Sequence, residues 1–254
     1  MKVVEVKDVR IGHGAPKICT SIIGVTKEDI ITQGKNILEA PVDLVEWRGD
    51  WFSDILEEDK VFEVLKTLRE ILSDIPILFT FRTSKEGGEK SIDLEDYSKL
   101  YKFITSTELV DLIDVEAFMG ENIVRNIIDE AHSNGIKVIV SNHDFHKTPS
   151  KEEIIKRLRY MQELGADIPK IAVMPQSKRD VLTLLEATLE MSENYGDTPI
   201  ITMAMSKGGI ISRLSGEFFG SALTFGALGE VSAPGQINAQ RLYEFLNIFH
   251  DCLQ

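Results

Sequence analysis

Short apolar runs recur along the chain at Ile18–Gly24, Asp43–Arg48, Pro76–Arg82, Leu112–Glu116, Ile136–His143, Ile168–Met174, Pro199–Met205 and Ala222–Leu228. Each is apolar at nearly every position, as a strand covered on both faces must be. Longer stretches with helical periodicity lie between them. Asp59–Leu72 sets Val61, Leu65, Leu68 and Leu72 on one stripe. Ser150–Leu164 is amphipathic and opens on the capping-box sequence Ser150-Lys-Glu-Glu, and Arg179–Asn194 is similar. Eight strand–helix repeats in 254 residues predict an α/β fold, a (β/α)8 TIM barrel. Ahead of the first run, Val3–Val6 and Val9–Gly12 flank Lys7-Asp8. They predict an N-terminal β-hairpin, within residues 1–14, covering one end of the barrel. The eighth unit is expected to start with a helical Ser215–Phe219 segment and to end in a helix from Ala239 to Phe249. No proline-rich or low-complexity linker divides the pattern, so residues 1–254 are expected to form one domain.

Composition narrows the class. The chain is 43% hydrophobic and 27% charged, ordinary values for a globular protein. A net charge of −13 without a basic stripe argues against nucleic acid and against anionic membrane surfaces. No apolar run approaches the ~18 residues that span a bilayer. The N-terminus lacks the apolar core of a secretory signal, so a cytoplasmic protein is expected. Cys19 and Cys252 belong to no CxxC pair, which gives neither a disulfide framework nor a zinc knuckle.

Polar residues interrupt the apolar runs in a regular way. In Asp167-Ile-Pro-Lys-Ile-Ala-Val-Met, strand alternation puts Ile168, Lys170 and Ala172 on one face and Ile171 and Val173 on the other. An ammonium on an inward face is costly unless it is paired or neutralised, and a neutral amine can attack a ketone to form a Schiff base. The plain alternative is a strand-end lysine whose head reaches solvent. The same parity pairs Glu46 with Arg48, Asp114 with Glu116, and Ser141 with His143. The working residues of such barrels sit at the C-terminal ends of the strands. Those ends carry Ser21, Glu46, Arg48, Arg82, Glu86, Asp114, Glu116, His143, Lys170, Met203, Met205 and Arg213. So many buried polar groups on otherwise apolar strands suit a site better than a core.

The motifs Glu-Trp-Arg (46–48), Phe-Arg-Thr (81–83) with Glu86-Gly87-Gly88, Ser-Asn-His-Asp-Phe (141–145) and Pro-Lys-Ile-Ala (169–172) occur in this order. Met203-Ala-Met-Ser, Ser212-Arg213-Leu214 and Ser232-Ala-Pro-Gly-Gln236 continue the series. Together, over essentially the whole chain, they resemble the type I 3-dehydroquinate dehydratase family, the class I dehydroquinases of the shikimate pathway. The resemblance implies a lyase that dehydrates 3-dehydroquinate to 3-dehydroshikimate with no cofactor and no metal. It implies Lys170 as the Schiff-base lysine, His143 as general acid/base, and Glu86 as the carboxylate that orients this histidine and favours its protonated form. It further implies Arg213 for the substrate carboxylate and Glu46, Arg48 and Arg82 for the ring hydroxyls. Ser21, Ser232 and Gln236 would add neutral hydrogen bonds, with apolar walls from Met203, Met205 and Phe225. The methionines read equally well as adaptable core filler. Asp114 and Glu116 either tune the lysine environment or balance the arginines. A homodimer is implied, and Gly229–Gln236 reads as a loop that closes over the site.

Other signals point elsewhere. His143-Asp-Phe-His146 has an HxxH look, but zinc needs at least three ligands and no third is offered, so His146 reads as a supporting or surface residue. Ser206-Lys-Gly-Gly after the seventh strand suggests a phosphate loop. It leaves a class I aldolase acting on a phosphorylated sugar as one alternative, and a barrel that has lost activity and serves as a scaffold as another.

Overall fold

The computed structural model describes residues 3–229 and 232–254. The chain opens with β1 (Val4–Val6) and β2 (Val9–Ile11), an antiparallel hairpin pairing Val4 with Ile11. The repeating units follow: β3 (Lys17–Ile22), α1 (Lys27–Ile37), β4 (Leu44–Arg48), α2 (Glu58–Leu72), β5 (Ile77–Thr80), α3 (Leu94–Ser106), β6 (Leu112–Glu116) and α4 (Glu121–Ser133). They continue with β7 (Lys137–Asp144), α5 (Lys151–Leu164), β8 (Ile168–Val173), α6 (Lys178–Glu190), β9 (Ile201–Ala204), the short α7 (Ile210–Leu214) and α8 (Gly216–Phe219), and β10 (Leu223–Ala227). A two-residue β11 (Ile237–Asn238) and α9 (Ala239–Leu253) complete the chain.

All ladders from β3 to β10 are parallel, in the order β10-β3-β4-β5-β6-β7-β8-β9. The ring closes between β9 and β10 through a single bridge, Ile200 to Ser221. Ala222 N–H donates to Ile200 C=O at 2.8 Å, and the Ser221 hydroxyl serves both backbone groups of Thr202, accepting at 3.0 Å and donating at 3.2 Å. A side chain thus replaces the missing ladder bonds at the seam.

Alternation builds two cores. Outward residues such as Val45, Trp47, Phe79, Val115, Val140, Ile171 and Val173 pack beneath the helices. Inward residues Cys19, Leu44, Leu78, Leu112, Ile139, Ile168, Ile201 and Leu223 fill the barrel floor together with Val4, Val6 and Ile11 of the hairpin. The hairpin therefore plugs the N-terminal end, as expected, and leaves the C-terminal end for the site.

Several local expectations change. Ser150 caps α5 by accepting from Glu153 N–H at 3.3 Å, but the Glu153 carboxylate takes Arg157 instead of closing the capping box. A complete box forms at Thr26 and Asp29, at the start of α1. The Ser215–Phe219 helix closes the seventh unit, ahead of β10, and only Gly216–Phe219 is helical. The last helix runs to Leu253. Among the described residues no helix is long and apolar enough to cross a membrane.

Candidate active site

Strand parity brings the polar residues onto the inner wall above the apolar floor. Lys170, 3% exposed, extends from β8 into the barrel. Its Nζ donates to Asp114 Oδ2 at 2.8 Å and lies 4.6 Å from the centre of the Phe225 ring. The solvent-reaching alternative is excluded by that burial. Asp114 Oδ1 in turn accepts from Arg82 at 2.7 Å and from Ser141 at 2.5 Å. Burial alone would push the Asp114 carboxyl up, but Arg82, then Lys170 and His143, overcome it and hold it well below the usual range. Glu116 bonds Arg82 at 3.1 Å and both the N–H and hydroxyl of Thr83 at 2.8 Å. Asp114 thus answers both open readings, setting the lysine environment and balancing Arg82, while Glu116 balances the arginine alone.

His143 stands at the end of β7. Its Nδ1 is 3.0 Å from Glu86 Oε2, which also accepts the His143 backbone N–H at 2.8 Å. Glu86 Oε1 accepts from Asn142 Nδ2 at 2.9 Å. Burial, with the Glu116 charge adding to it, raises the Glu86 carboxyl to about 7. Burial first, then the Arg82 and Lys170 cations, push His143 well below its ordinary value. The pairing of Glu86 with His143 is as expected, but the protonated imidazole is not. Three surrounding features disfavour a further buried positive charge: the low polarity, Arg82 and Lys170.

The arginines differ in how they are held. Arg48 is locked by Asp50 through two bonds of 2.8 Å and also reaches Ser232 C=O at 3.4 Å. The Arg82 terminal nitrogens are engaged by Asp114, Glu116 and Ser141, so its main role is to tie the carboxylates together rather than to reach ring hydroxyls. Arg213 is 1% exposed and has no carboxylate partner among the described residues. Its contacts there are Met203 Sδ at 3.7 Å and Pro234 C=O at 3.3 Å, and its buried Nε meets no acceptor among the described residues. Desolvation lowers its guanidinium to about 10. A buried cation with an open donor is ready for an anion.

Glu46 accepts from Ser21 at 2.6 Å and from Thr80 at 2.8 Å. Ser21 then receives the Ser232 hydroxyl at 3.0 Å, and Ser232 is bonded both ways to Gln236. Within the loop read as 229–236, Glu230 and Val231 lie outside the described residues; Ser232–Gln236 rests over the pocket, with Pro234 C=O accepting from Ser206 N–H at 3.1 Å. The Ser206-Lys-Gly-Gly run therefore has an amide already engaged by this loop. His146 is exposed, and among the described residues no group of three or more His, Cys, Asp or Glu could hold a metal.

One cavity of about 490 Å³, measured out to its mouth, is lined by the predicted site residues except Ser21, Asp114 and Glu116, which bond lining residues from behind. Sequence reasoning missed Phe145 and Ala172 on its wall. Phe145 lies against Gly87, at φ +84°, where a Cβ would come within 2.3 Å of its ring, so the Glu86-Gly87 turn and this aromatic wall require each other. Also missed were Asp50, whose pairing with Arg48 two residues away is visible only once the turn is drawn, and two tyrosines of α3. The Tyr101 hydroxyl accepts from Phe81 N–H at 3.1 Å and donates to Asp114 C=O, and the Tyr97 hydroxyl accepts from Glu116 N–H at 3.1 Å. Tyr101 joins the β5 end to β6 where the ladder between these strands stops, at Thr80 and Asp114, and Tyr97 takes up the next β6 amide.

A parallel barrel whose strand ends converge on a buried lysine, an imidazole–carboxylate pair and a buried arginine has the build of a barrel enzyme. The family model of type I 3-dehydroquinase matches residues 18–252, and the chain belongs to that family of lyases. It is 57% identical over 247 residues to the 3-dehydroquinate dehydratase of Clostridioides difficile strain 630, covering 97% of each chain. It is 54% identical over 250 residues to that of Salmonella agona, covering 98% of this chain and 99% of the relative. The crystal structure of the Clostridium difficile type I enzyme, with covalently modified comenic acid, superposes with a TM-score of 0.97 at 56% identity, covering 99% of both chains. The Enterococcus faecalis enzyme gives 0.91 at 45% identity, covering 97% of this chain and 99% of the other.

Proposed function

We propose that this chain dehydrates 3-dehydroquinate to 3-dehydroshikimate in the shikimate pathway through a Schiff base on Lys170. The observation that carries the reading is the pairing, in one cavity, of a buried lysine with a buried arginine that has no carboxylate partner among the described residues. Arg213 takes the substrate carboxylate in its planar fork. Lys170 gives up a proton to His143 and attacks the C3 ketone; His143 returns that proton to the carbinolamine oxygen, which leaves as water, and the resulting iminium is an electron sink that acidifies C2. His143, kept neutral by its surroundings, removes the C2 proton. The enamine then expels the C1 hydroxyl, which leaves as water with the proton that His143 returns, and hydrolysis frees the lysine. Asp114, ionised between Arg82 and Lys170, is the counter-ion to the iminium. Glu46, Arg48, Ser232 and Gln236 orient the ring hydroxyls, and Met203, Met205, Phe145 and Phe225 exclude water.

The reading includes a homodimer and no cofactor. The family match favours it over the phosphosugar aldolase, as does the occupied Ser206 amide. Incubation with 3-dehydroquinate tests it directly: the conjugated enone of the product should appear by ultraviolet absorbance, and should fail to appear with Lys170→Ala. A purified, folded chain that leaves 3-dehydroquinate unchanged defeats the reading and returns the scaffold alternative.

A further inference from the structure

One line of side chains runs from the outer helices to the imidazole. Glu153 on α5 accepts from Arg157 Nε at 2.8 Å, and Arg157 NH1 donates to Asn142 Oδ1 at 2.9 Å. Asn142 Nδ2 donates to Glu86 Oε1 at 2.9 Å, and Glu86 Oε2 meets His143 Nδ1 at 3.0 Å. A guanidinium only donates. The Asn142 carbonyl oxygen must therefore face Arg157, and its NH2 must face Glu86. This fixes the amide orientation chemically. With the backbone N–H of His143, Glu86 is ringed by donors, and an ionised Glu86 requires the imidazole proton on Nδ1.

We propose that Arg157 and Asn142 are positioning residues that set the tautomer of His143: they hold Glu86 as an acceptor, so that Nδ1 carries the proton and Nε2 faces the cavity as the base. The functional half of this inference rests on the role proposed above for His143.

The charged groups around the pair come from every neighbouring element. Arg82, at the end of β5, lies 3.7 Å from Glu86, and Glu116 of β6 opposes it. Arg48 of β4, Asp114 of β6 and Lys170 of β8 act on His143. Burial and Glu116 already bring the Glu86 carboxyl close to neutral pH, and the Asn142 bond opposes them. Loss of that one donor tips Glu86 toward its protonated form. A protonated Glu86 becomes a donor to Nδ1, the imidazole proton moves to Nε2, and the cavity loses its base.

The test uses the full chain labelled with ¹⁵N-histidine, with His143→Gln to assign the resonances. At pH 7.5 the unmodified protein should show a protonated Nδ1 and an unprotonated Nε2. Asn142→Ala and Arg157→Ala should average or reverse that pattern. In kinetics with 3-dehydroquinate, the acid limb of kcat/KM should move up by about one pH unit, the scale of losing one donor to a carboxylate. Arg157→Lys, which still donates to Oδ1, should restore both readouts. Unchanged tautomer and limb in both alanine variants, or a drop equal at every pH, would overturn the proposal. If the unmodified chain fails to turn over dehydroquinate, the functional reading falls, and the nitrogen resonances alone still decide the tautomer inference.

Discussion

Lys170 and Asp114 face each other at 2.8 Å inside an apolar barrel, and each makes the other tolerable there. Removing one partner of a buried pair leaves an uncompensated charge, so Asp114→Asn should destabilise the fold by about 3–5 kcal/mol in denaturant titration. A loss below about 1 kcal/mol, the scale of exposed pairs, would show that the lysine relaxes to solvent. His143→Ala should lower kcat by ~10²–10⁴, the scale of general acid/base groups, with imine able to accumulate. Glu86 governs the pH dependence. Its ionised form holds the imidazole in the basic tautomer, and its carboxyl sits at about 7. kcat/KM should therefore rise with pH to a limb near that value and flatten above it. The limb should vanish in Glu86→Gln; an identical limb in that variant would assign it to another group.

At the scale of elements, the strands were legible because burial on both faces leaves near-continuous apolar runs, and their polar exceptions fall two residues apart. Lys170, Glu46 with Arg48, and Ser141 with His143 could be placed on the inner wall from that period alone. Arg213, Ser232 and Gln236 lie outside the strands, on a short helix and a loop with no period, so their place after a strand suggested them and only the motif resemblance gave them roles. Tyr97 and Tyr101 were hidden for a different reason. On an amphipathic helix a buried tyrosine looks like core, and nothing local reveals that its hydroxyl completes a gap between two strands. Tyr101→Phe strands the Phe81 N–H and the Asp114 C=O, and should cost about 1–3 kcal/mol. The hairpin plug is equally testable: Ile11→Ala, in the barrel floor, should cost about 2–5 kcal/mol. Gly235 has φ +80°, and a Cβ there would lie 2.2 Å from the Ser206 carbonyl oxygen. Gly235→Ala should undock Ser232 and Gln236 and raise KM while leaving the melting temperature nearly unchanged.

For the whole molecule, a net charge of −13 coexists with a cavity lined by four cations, Arg48, Arg82, Lys170 and Arg213, against two carboxylates, Glu46 and Glu86. The overall acidity therefore does not forbid an anionic substrate. Stability should depend on pH through opposed terms. The Asp114 carboxyl is held below its ordinary 3.8, so its contribution is present above that value and lost as pH falls below it. His143 is held below 6.5, so its contribution is present above 6.5 and lost as pH falls. Glu86 runs the other way. Its folded value of about 7 exceeds its ordinary 4.5, so protonation favours the fold below 4.5 and that contribution is lost as pH rises through 7. Between those values Glu86 and His143 offset each other, and Glu86→Ala should leave stability rising with pH across the window. A variant profile parallel to the parent would contradict that coupling. Exhaustive chelation should leave turnover intact, because the proposed iminium would itself supply the electron sink. Loss of activity restored by zinc or magnesium would return attention to His143 and His146.

The proposed mechanism turns on a covalent bond to Lys170, which borohydride reduction in the presence of 3-dehydroquinate, followed by peptide mass mapping, would trap. Reduction should inactivate the enzyme only when substrate or product is present and should leave one stable adduct on the peptide containing Lys170. Lys170→Ala should form none, and Lys170→Arg should fail as well despite keeping the charge. An adduct on Lys207, or turnover without any trapped species, would contradict the account.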